Sequence, residues 1–288
     1  MQNLIVPMAG KGDRFLRAGY KTYKPFLKTK NSKTILDNIT NKFDKKINII
    51  FIVSKNLSNK YLLKLKNINK SKKIKIEKHK LGPGYSILQA KKYLKNLENI
   101  FVSYSDIEWI WLKKLETNKK NVIFCFKGYH PFTTDNNKYA FCKVNNNKFL
   151  KLKEKSSFTK NWTNEPLSIG LFYYTNSKNL FKSLEILKKK NIRTNNEYFP
   201  SEGFNFIKSK TVIKYVKNFI HLGKPFYYET YVDWLNFFTY QNIFKKKIKT
   251  IKLADEIIIP AAGESKRFKD TGFQKPKYLY VINSVKKE

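Results

Sequence analysis

Apolar residues fall in short runs along the chain, and the spacing alternates between continuous and helical. Residues 3–7 (NLIVP), 48–53 (NIIFIV) and 99–104 (NIFVSY) are continuous apolar runs bounded by turn residues. That is the pattern of strands buried on both faces. Between them, residues 34–43 (TILDNITNKF) carry Ile35, Ile39 and Phe43 at helical spacing. Residues 61–67 read as a short helix and 74–77 as a short strand. Residues 85–97 (YSILQAKKYLKNL) read as an amphipathic helix with Ile87, Ala90, Leu94 and Leu97 on one side. Strand alternating with helix predicts a layered, parallel α/β sheet.

The middle of the chain departs from that rhythm. Residues 122–127, 139–144 and 149–154 are strand-like, and Asn145-Asn146-Asn147 between the last two suits a hairpin turn. Residues 168–174 (SIGLFYY) form another strand, 180–190 a helix, and 211–216 a strand leading into 219–223. Helical spacing resumes over 228–238. The fold class expected is α/β: a three-layer, Rossmann-like, mainly parallel sheet with inserted antiparallel strands. Residues 1–240 make one domain on this reading and 241–254 a linker, with 244–253 a linker or short strand.

Composition narrows the function. The 288 residues contain 41% hydrophobic and 16% aromatic side chains, enough for a substantial core. No apolar run reaches the roughly 20 residues of a membrane span, and residues 1–10 show no signal peptide. The two cysteines, Cys125 and Cys142, sit in strand-like runs without metal-ligand spacing. A cytoplasmic protein is expected. The net charge of +38 points less firmly to nucleic acid than its size suggests, because only four of the 59 basic residues are arginine. Lysines spread along the whole chain, with abundant Asn, Ile, Phe and Tyr, match an A/T-rich coding bias on a tolerant surface. No membrane and no specific nucleic-acid partner is expected; an oligomer is compatible with the sequence.

An internal repeat singles out the chemistry. Residues 4–24 (LIVPMAGKGDRFLRAGYKTYK) align without a gap to residues 257–277 (IIIPAAGESKRFKDTGFQKPK), 253 positions on. Pro7, Ala9, Gly10, Arg14, Phe15, Gly19 and Lys24 recur as Pro260, Ala262, Gly263, Arg267, Phe268, Gly272 and Lys277. Two glycines and an arginine in register, in a chain with 11 Gly and four Arg, do not follow from composition bias. Glycine at a strand end lets backbone N–H groups turn toward an anion. Arg14 adds a planar, permanent charge suited to phosphate oxygens, and Lys24 a mobile point charge. The spacing is neither G-x-G-x-x-G nor a Walker A loop.

The segment resembles the sugar-1-phosphate nucleotidyltransferases, or NDP-sugar pyrophosphorylases, whose signature is a Gly-x-Gly-x-Arg loop followed by Pro-Lys. Gly10, Gly12, Arg14 and Lys24 match, with Tyr23 in place of the proline; the second copy carries Pro276-Lys277. Further likenesses follow in order. Gly82-Pro83-Gly84-Tyr85-Ser86 resembles the nucleotide-base loop, and Ser103-Tyr104-Ser105-Asp106 the strand ending in a metal-binding aspartate. Glu154-Lys155 resembles the sugar-site pair, Ile169-Gly170-Leu171 a pocket strand, and His221-Leu222-Gly223-Lys224-Pro225 a late turn.

The resemblance implies transfer of a nucleotidyl group from a nucleoside triphosphate (NTP) to a sugar 1-phosphate, with Mg²⁺. It assigns Arg14 to the leaving pyrophosphate, Lys24 to the α-phosphate and Asp106 to the metal. Ala9, Gly10, Gly12, Gly82 and Gly84 would bind the nucleotide, Gly84 meeting the base through its backbone. Lys155 would take the sugar phosphate and Glu154 a sugar hydroxyl, while Gly170 would line the pocket. His221 stands where many members place a second metal-binding aspartate, and Glu202 and Asp233 are the alternative carboxylates. Residues 255–288 read as the truncated start of a second nucleotidyltransferase domain. Simpler roles stay open at this point: Asp106 as a helix cap, Glu154-Lys155 as a solvated strand end, Gly170 as a packing residue. Alternatives for the whole are a nucleotide-sugar-dependent glycosyltransferase, which needs an aspartate pair such as Asp-x-Asp, an inactive nucleotide-binding paralogue, or a basic nucleic-acid-binding protein.

Overall fold

The structure is a computed structural model describing residues 2–10, 12–29, 32–68, 71–112, 120–128, 138–247, 263 and 266–270. Its first compact unit runs from Met1 to Thr239. Strand β1 (Asn3–Pro7) is buried along its whole length and leads through the glycine loop to helix α1 (Asp13–Arg17). Helix α2 (Ile35–Thr40) follows, with a capping box between Thr34 and Asp37. Next come β2 (Asn48–Ser54), α3 (Asn59–Lys66), β3 (Ser71–Ile76), α4 (Gly82–Gln89), β4 (Glu98–Ser103) and β5 (Ile107–Trp111). The second half supplies β6 (Asn121–Phe126), β7 (Ala140–Asn145), β8 (Lys148–Lys153), β9 (Leu167–Asn176), α5 (Ser177–Lys189), α6 (Pro200–Gly203), β10 (Thr211–His221) and α7 (Pro225–Lys247).

The strands form one sheet in the order β3-β2-β1-β4-β9-β6-β10-β8-β7. The first four are mutually parallel, as the alternation predicts. Strand β9 is inserted antiparallel between β4 and β6, and β6 and β10 are again parallel. Strand alternation splits the core in two. Leu4 and Val6 of β1 face a cluster shared with Ile35, Leu36 and Ile39 of α2 and Leu65 of α3. Ile5 faces the other cluster, with Ile87 of α4 and Leu180, Leu184 and Leu187 of α5. Helices thus cover both faces, giving the three layers expected. In the β7–β8 hairpin, Asn146 and Asn147 both take positive φ, at 46° and 61°. Asparagine tolerates that left-handed conformation better than most residues.

Three elements differ from the sequence reading. Helix α4 stops at Gln89 and gives way to a tighter turn at Lys91–Tyr93, although Ile87, Ala90 and Leu94 are buried as the periodicity requires. Strand β5 was not expected; its Trp109 is buried against Phe43 and Trp111. Strand β10 continues five residues past Val216, with a register shift between Val216 and Asn218 as it passes from β6 to β5. That shift is a local irregularity that hydrophobic periodicity does not reveal.

The second compact unit comprises Tyr240–Glu288. Helix α7 runs through Lys247, so residues 241–247, read as linker, are helical. Helix α8 (Lys266–Asp270) lies 253 positions after α1, in the register of the repeat. The remaining expectations for this part, a strand at 257–259 and the Pro276-Lys277 turn, lie outside the described residues. Among the described residues, no helix is long and apolar enough to cross a membrane.

Candidate active site

The parallel strands β1 and β4 end side by side, and their C-terminal ends open into a cavity of about 790 Å³. Open α/β sheets bind ligands at such an edge. Of the eleven residues singled out in the sequence, all but Gly84 line it. Gly12 has φ 67° and supplies the left-handed turn that starts α1. A Cβ on Gly10 or Gly12 would meet nothing within 4 Å, so the loop presents its backbone to open space rather than to packed side chains.

Lys24 and Asp106 meet at the centre. Lys24 Nζ donates to Asp106 Oδ2 at 2.8 Å, and each side chain is less than one-fifth exposed. Burial opposes ionisation of Asp106, but Lys24, then His221 and Arg14, outweigh it and pull its pKa down to about 2. His221 reaches this point because β5 begins immediately after Asp106 and pairs antiparallel with β10, setting Ile107 opposite His221. Its Nε2 lies 3.8 Å from Asp106 Oδ2. Burial lowers the His221 pKa to about 4, with Asp106 opposing, so the imidazole is neutral at pH 7. Its Nδ1 is buried without a partner. Leu222 N–H donates to Asp106 O at 2.7 Å, tying the late turn to the same residue. Neither Glu202 nor Asp233 lines the cavity.

Tyr23, standing where proline was expected, does a different job. Its hydroxyl donates to Met8 O and its N–H donates to Tyr61 Oη at 2.8 Å. The phenol therefore ties the end of β1 to the segment carrying Lys24. A proline there has neither group to offer.

The far wall carries the sugar-site candidates. Glu154 accepts from Ser201 Oγ at 2.5 Å. Burial, reinforced by Glu202 and Glu197, raises its pKa to about 7 against Ser201 and Lys155. Lys155 sits in the left-handed region, φ 51°, and holds its ammonium 4.9 Å from the centre of the Phe199 ring. Gly170 combines two roles. It lines the cavity, and its φ of 84° plus a Tyr104 ring atom 2.5 Å from where a Cβ would stand exclude any other residue. Gly84 does not line the cavity; it is buried, and its N–H is donated to Tyr198 O at 2.9 Å. A Cβ on it would stand 2.7 Å from the same carbonyl, so packing explains the glycine.

No family model matches the chain. The chain is 28% identical over 220 residues to the bifunctional protein GlmU of Buchnera aphidicola, covering 71% of this chain and 43% of that one. It therefore spans less than half the length of that curated relative. Among solved structures, it is similar to a nucleoside-diphosphate-sugar pyrophosphorylase from Vibrio cholerae, with TM-score 0.64, 16% identity and coverage of 80% of this chain and 99% of the other. A UDP-glucose pyrophosphorylase complexed with UDP-glucose gives TM-score 0.63 at 14% identity over 84% of this chain and 99% of the other. The chain has the nucleotidyltransferase fold. A CTP:phosphocholine cytidylyltransferase from Streptococcus pneumoniae shares it, with TM-score 0.59 and 15% identity over 82% of this chain and all of the other. Within the nucleotidyltransferase fold, the sequence reading missed His79, Glu197 and Ser201, which also line the cavity. His79 was the most findable, as one of three histidines, three residues before the Gly82 loop.

The half-buried Glu154 yields a pH signature. Between its ordinary pKa of 4.5 and about 7, the unfolded chain is ionised there while the folded chain keeps its proton. Stability therefore falls as pH rises through that window, by roughly 3 kcal/mol at most. Glu154→Gln is expected to melt several degrees higher than the parent at pH 8 and at nearly the same temperature at pH 5. Equal shifts at both pH values, in calorimetry, would rule out a proton-holding Glu154.

Proposed function

We propose that the first unit transfers a nucleotidyl group from an NTP to a sugar 1-phosphate, releasing pyrophosphate. The observation that carries this is the meeting of Arg14, Lys24 and Asp106, from three separate segments, beside a glycine loop at the end of β1. The activities of the similar proteins support it. A sugar-phosphate oxygen attacks the α-phosphorus, a new P–O bond forms, and the bond to the bridging β-oxygen breaks in line. This chemistry needs positioning and charge neutralisation rather than a protein nucleophile. Arg14 neutralises the departing pyrophosphate. Lys24, held in place by Asp106, exchanges that carboxylate for the α-phosphate. Glu154 and Lys155 orient the acceptor.

The site suits Mg²⁺. This ion is commonly held by one or two carboxylates with substrate phosphates completing its shell. Asp106 provides the carboxylate, and His221 is the second protein group facing it. The described residues contain no cluster of three or more acidic, His or Cys ligands, so substrate oxygens would supply the rest. The ion would contribute Lewis-acid neutralisation of the phosphates. A glycosyltransferase is less well supported. Its aspartate pair would need Glu108, whose Oε2 accepts from Asn38 and Tyr231 and which does not line the cavity.

Pyrophosphate release should be measured with Mg²⁺, each NTP and a panel of sugar 1-phosphates. Arg14→Ala and Asp106→Ala are each expected to lower turnover at least about a hundredfold with unchanged circular dichroism. Near-normal turnover in either variant removes that residue from the mechanism.

The repeat adds a reading of domain organisation. Residues 255–288 are proposed to open a second nucleotidyltransferase domain. The support is the register of Gly263, Arg267 and Lys277 with the first loop, and helix α8 in the place of α1. On this reading they serve a separate domain, so deleting 254–288 should leave turnover within about twofold. Loss of activity in a folded deletion variant would mean that the second loop serves the first site.

A further inference from the structure

The Gly82 loop sits at the mouth of α4, a helix with no side-chain cap of its own. His79 stands just before it and lines the cavity. Two hydrogen bonds define its ring. Leu81 N–H donates to His79 Nδ1 at 3.1 Å, and His79 Nε2 lies 3.0 Å from Ser86 Oγ. An amide N–H can only donate, so Nδ1 must be bare and accept. In a neutral imidazole the proton then belongs on Nε2, which donates to Ser86 Oγ. Ser86 passes its own proton toward Gly82 O, 3.4 Å away. The ring thereby clasps both ends of the turn, Leu81 before it and Ser86 one helical turn after it. The far side of the loop is zipped to the 197–198 segment by Tyr198 N–H to Leu81 O and Gly84 N–H to Tyr198 O, both 2.9 Å.

We propose that His79 is a positioning residue for the nucleotide: its single tautomer, bare at Nδ1 and protonated at Nε2, fixes the shape of the Leu81–Gly84 loop. Both ring nitrogens are committed within the loop, so His79 has none left to read a base or move a proton for the reaction. A second proton at Nδ1 would set that N–H against the Leu81 N–H and release Leu81. Burial lowers the pKa of His79, which favours the neutral ring that the loop needs. Its edge-to-face contact with Tyr85, centroids 5.0 Å apart, holds the ring plane.

The consequence for nucleotide affinity rests on the function proposed above; the tautomer does not. Two measurements on the full chain separate them. Long-range ¹H–¹⁵N NMR at pH 7.5, with His79 assigned by loss of its signals in His79→Gln, should show Nδ1 without a proton and Nε2 with one. In the pyrophosphate-release assay, His79→Ala should raise KM for the NTP about tenfold and leave kcat within twofold. His79→Asn should recover part of that loss, because an Asn Oδ1 accepts an N–H two residues on in the same way. Ser86→Ala should raise KM about threefold. An Nδ1–H tautomer, or an unchanged KM in His79→Ala, overturns the proposal. If the parent protein releases no pyrophosphate with any NTP, the function reading fails. The positioning role is then decided by the tautomer and by amide exchange at Leu81, which His79→Ala should speed at least tenfold.

Discussion

The contact between Lys24 and Asp106 is the interaction on which the site depends. The two side chains come from loops that share nothing in sequence, one after α1 and one at the end of β4. Parallel pairing of β1 with β4 sets their C-terminal ends side by side, the Tyr23 hydroxyl tethers the Lys24 segment to Met8 just past β1, and the antiparallel β5–β10 pairing adds His221 behind them. A largely desolvated ion pair is a weak source of net stability, because removing two charges from water offsets most of their attraction. Its value is different. Lys24 keeps the Asp106 carboxylate ionised, and the hydrogen bond between them holds both side chains in place.

The rest of the cavity can be understood from that centre outward. One side carries the backbone of the glycine loop with Arg14 and Lys24, and its glycines Gly10 and Gly12 face open space. The opposite side is crowded. Gly82, Gly84 and Gly170 are each pressed against backbone or an aromatic ring, and none has room for a Cβ. The loose glycines leave space for a ligand, whereas the tight ones fix the wall that shapes it. Glu154 on that wall is half-buried, accepts from Ser201 Oγ and has its pKa raised to about 7. Ser168 Oγ on the same wall is buried without a hydrogen-bond partner.

Much of this was legible in the residues. The buried strands β1, β2 and β4 announce themselves as continuous apolar runs, and the Asn-rich turn of the β7–β8 hairpin has a local cause. The glycine loop with Arg14 was legible because it occurs twice. Strand β5 was not, because IEWIW mixes an inward Ile107 and Trp109 with an exposed Ile110, a pattern short enough to pass for loop. Without β5, the link between Asp106 and His221 could not be seen. At Gly84 the motif reveals that a glycine is required but not that the Tyr198 carbonyl, 2.7 Å from where a Cβ would stand, leaves no room for one. His79 went unremarked because its role is a pair of hydrogen bonds within one turn, which no spacing rule encodes.

If the pair holds Lys24 until substrate arrives, Asp106 competes with phosphate for the same ammonium whenever divalent metal is absent. Titration calorimetry of an NTP in chelator, with the parent chain and Asp106→Asn, measures that competition directly. The account predicts that Asp106→Asn binds about tenfold more tightly in chelator, a gain of about 1.4 kcal/mol. Equal or weaker binding by Asp106→Asn without metal would contradict it.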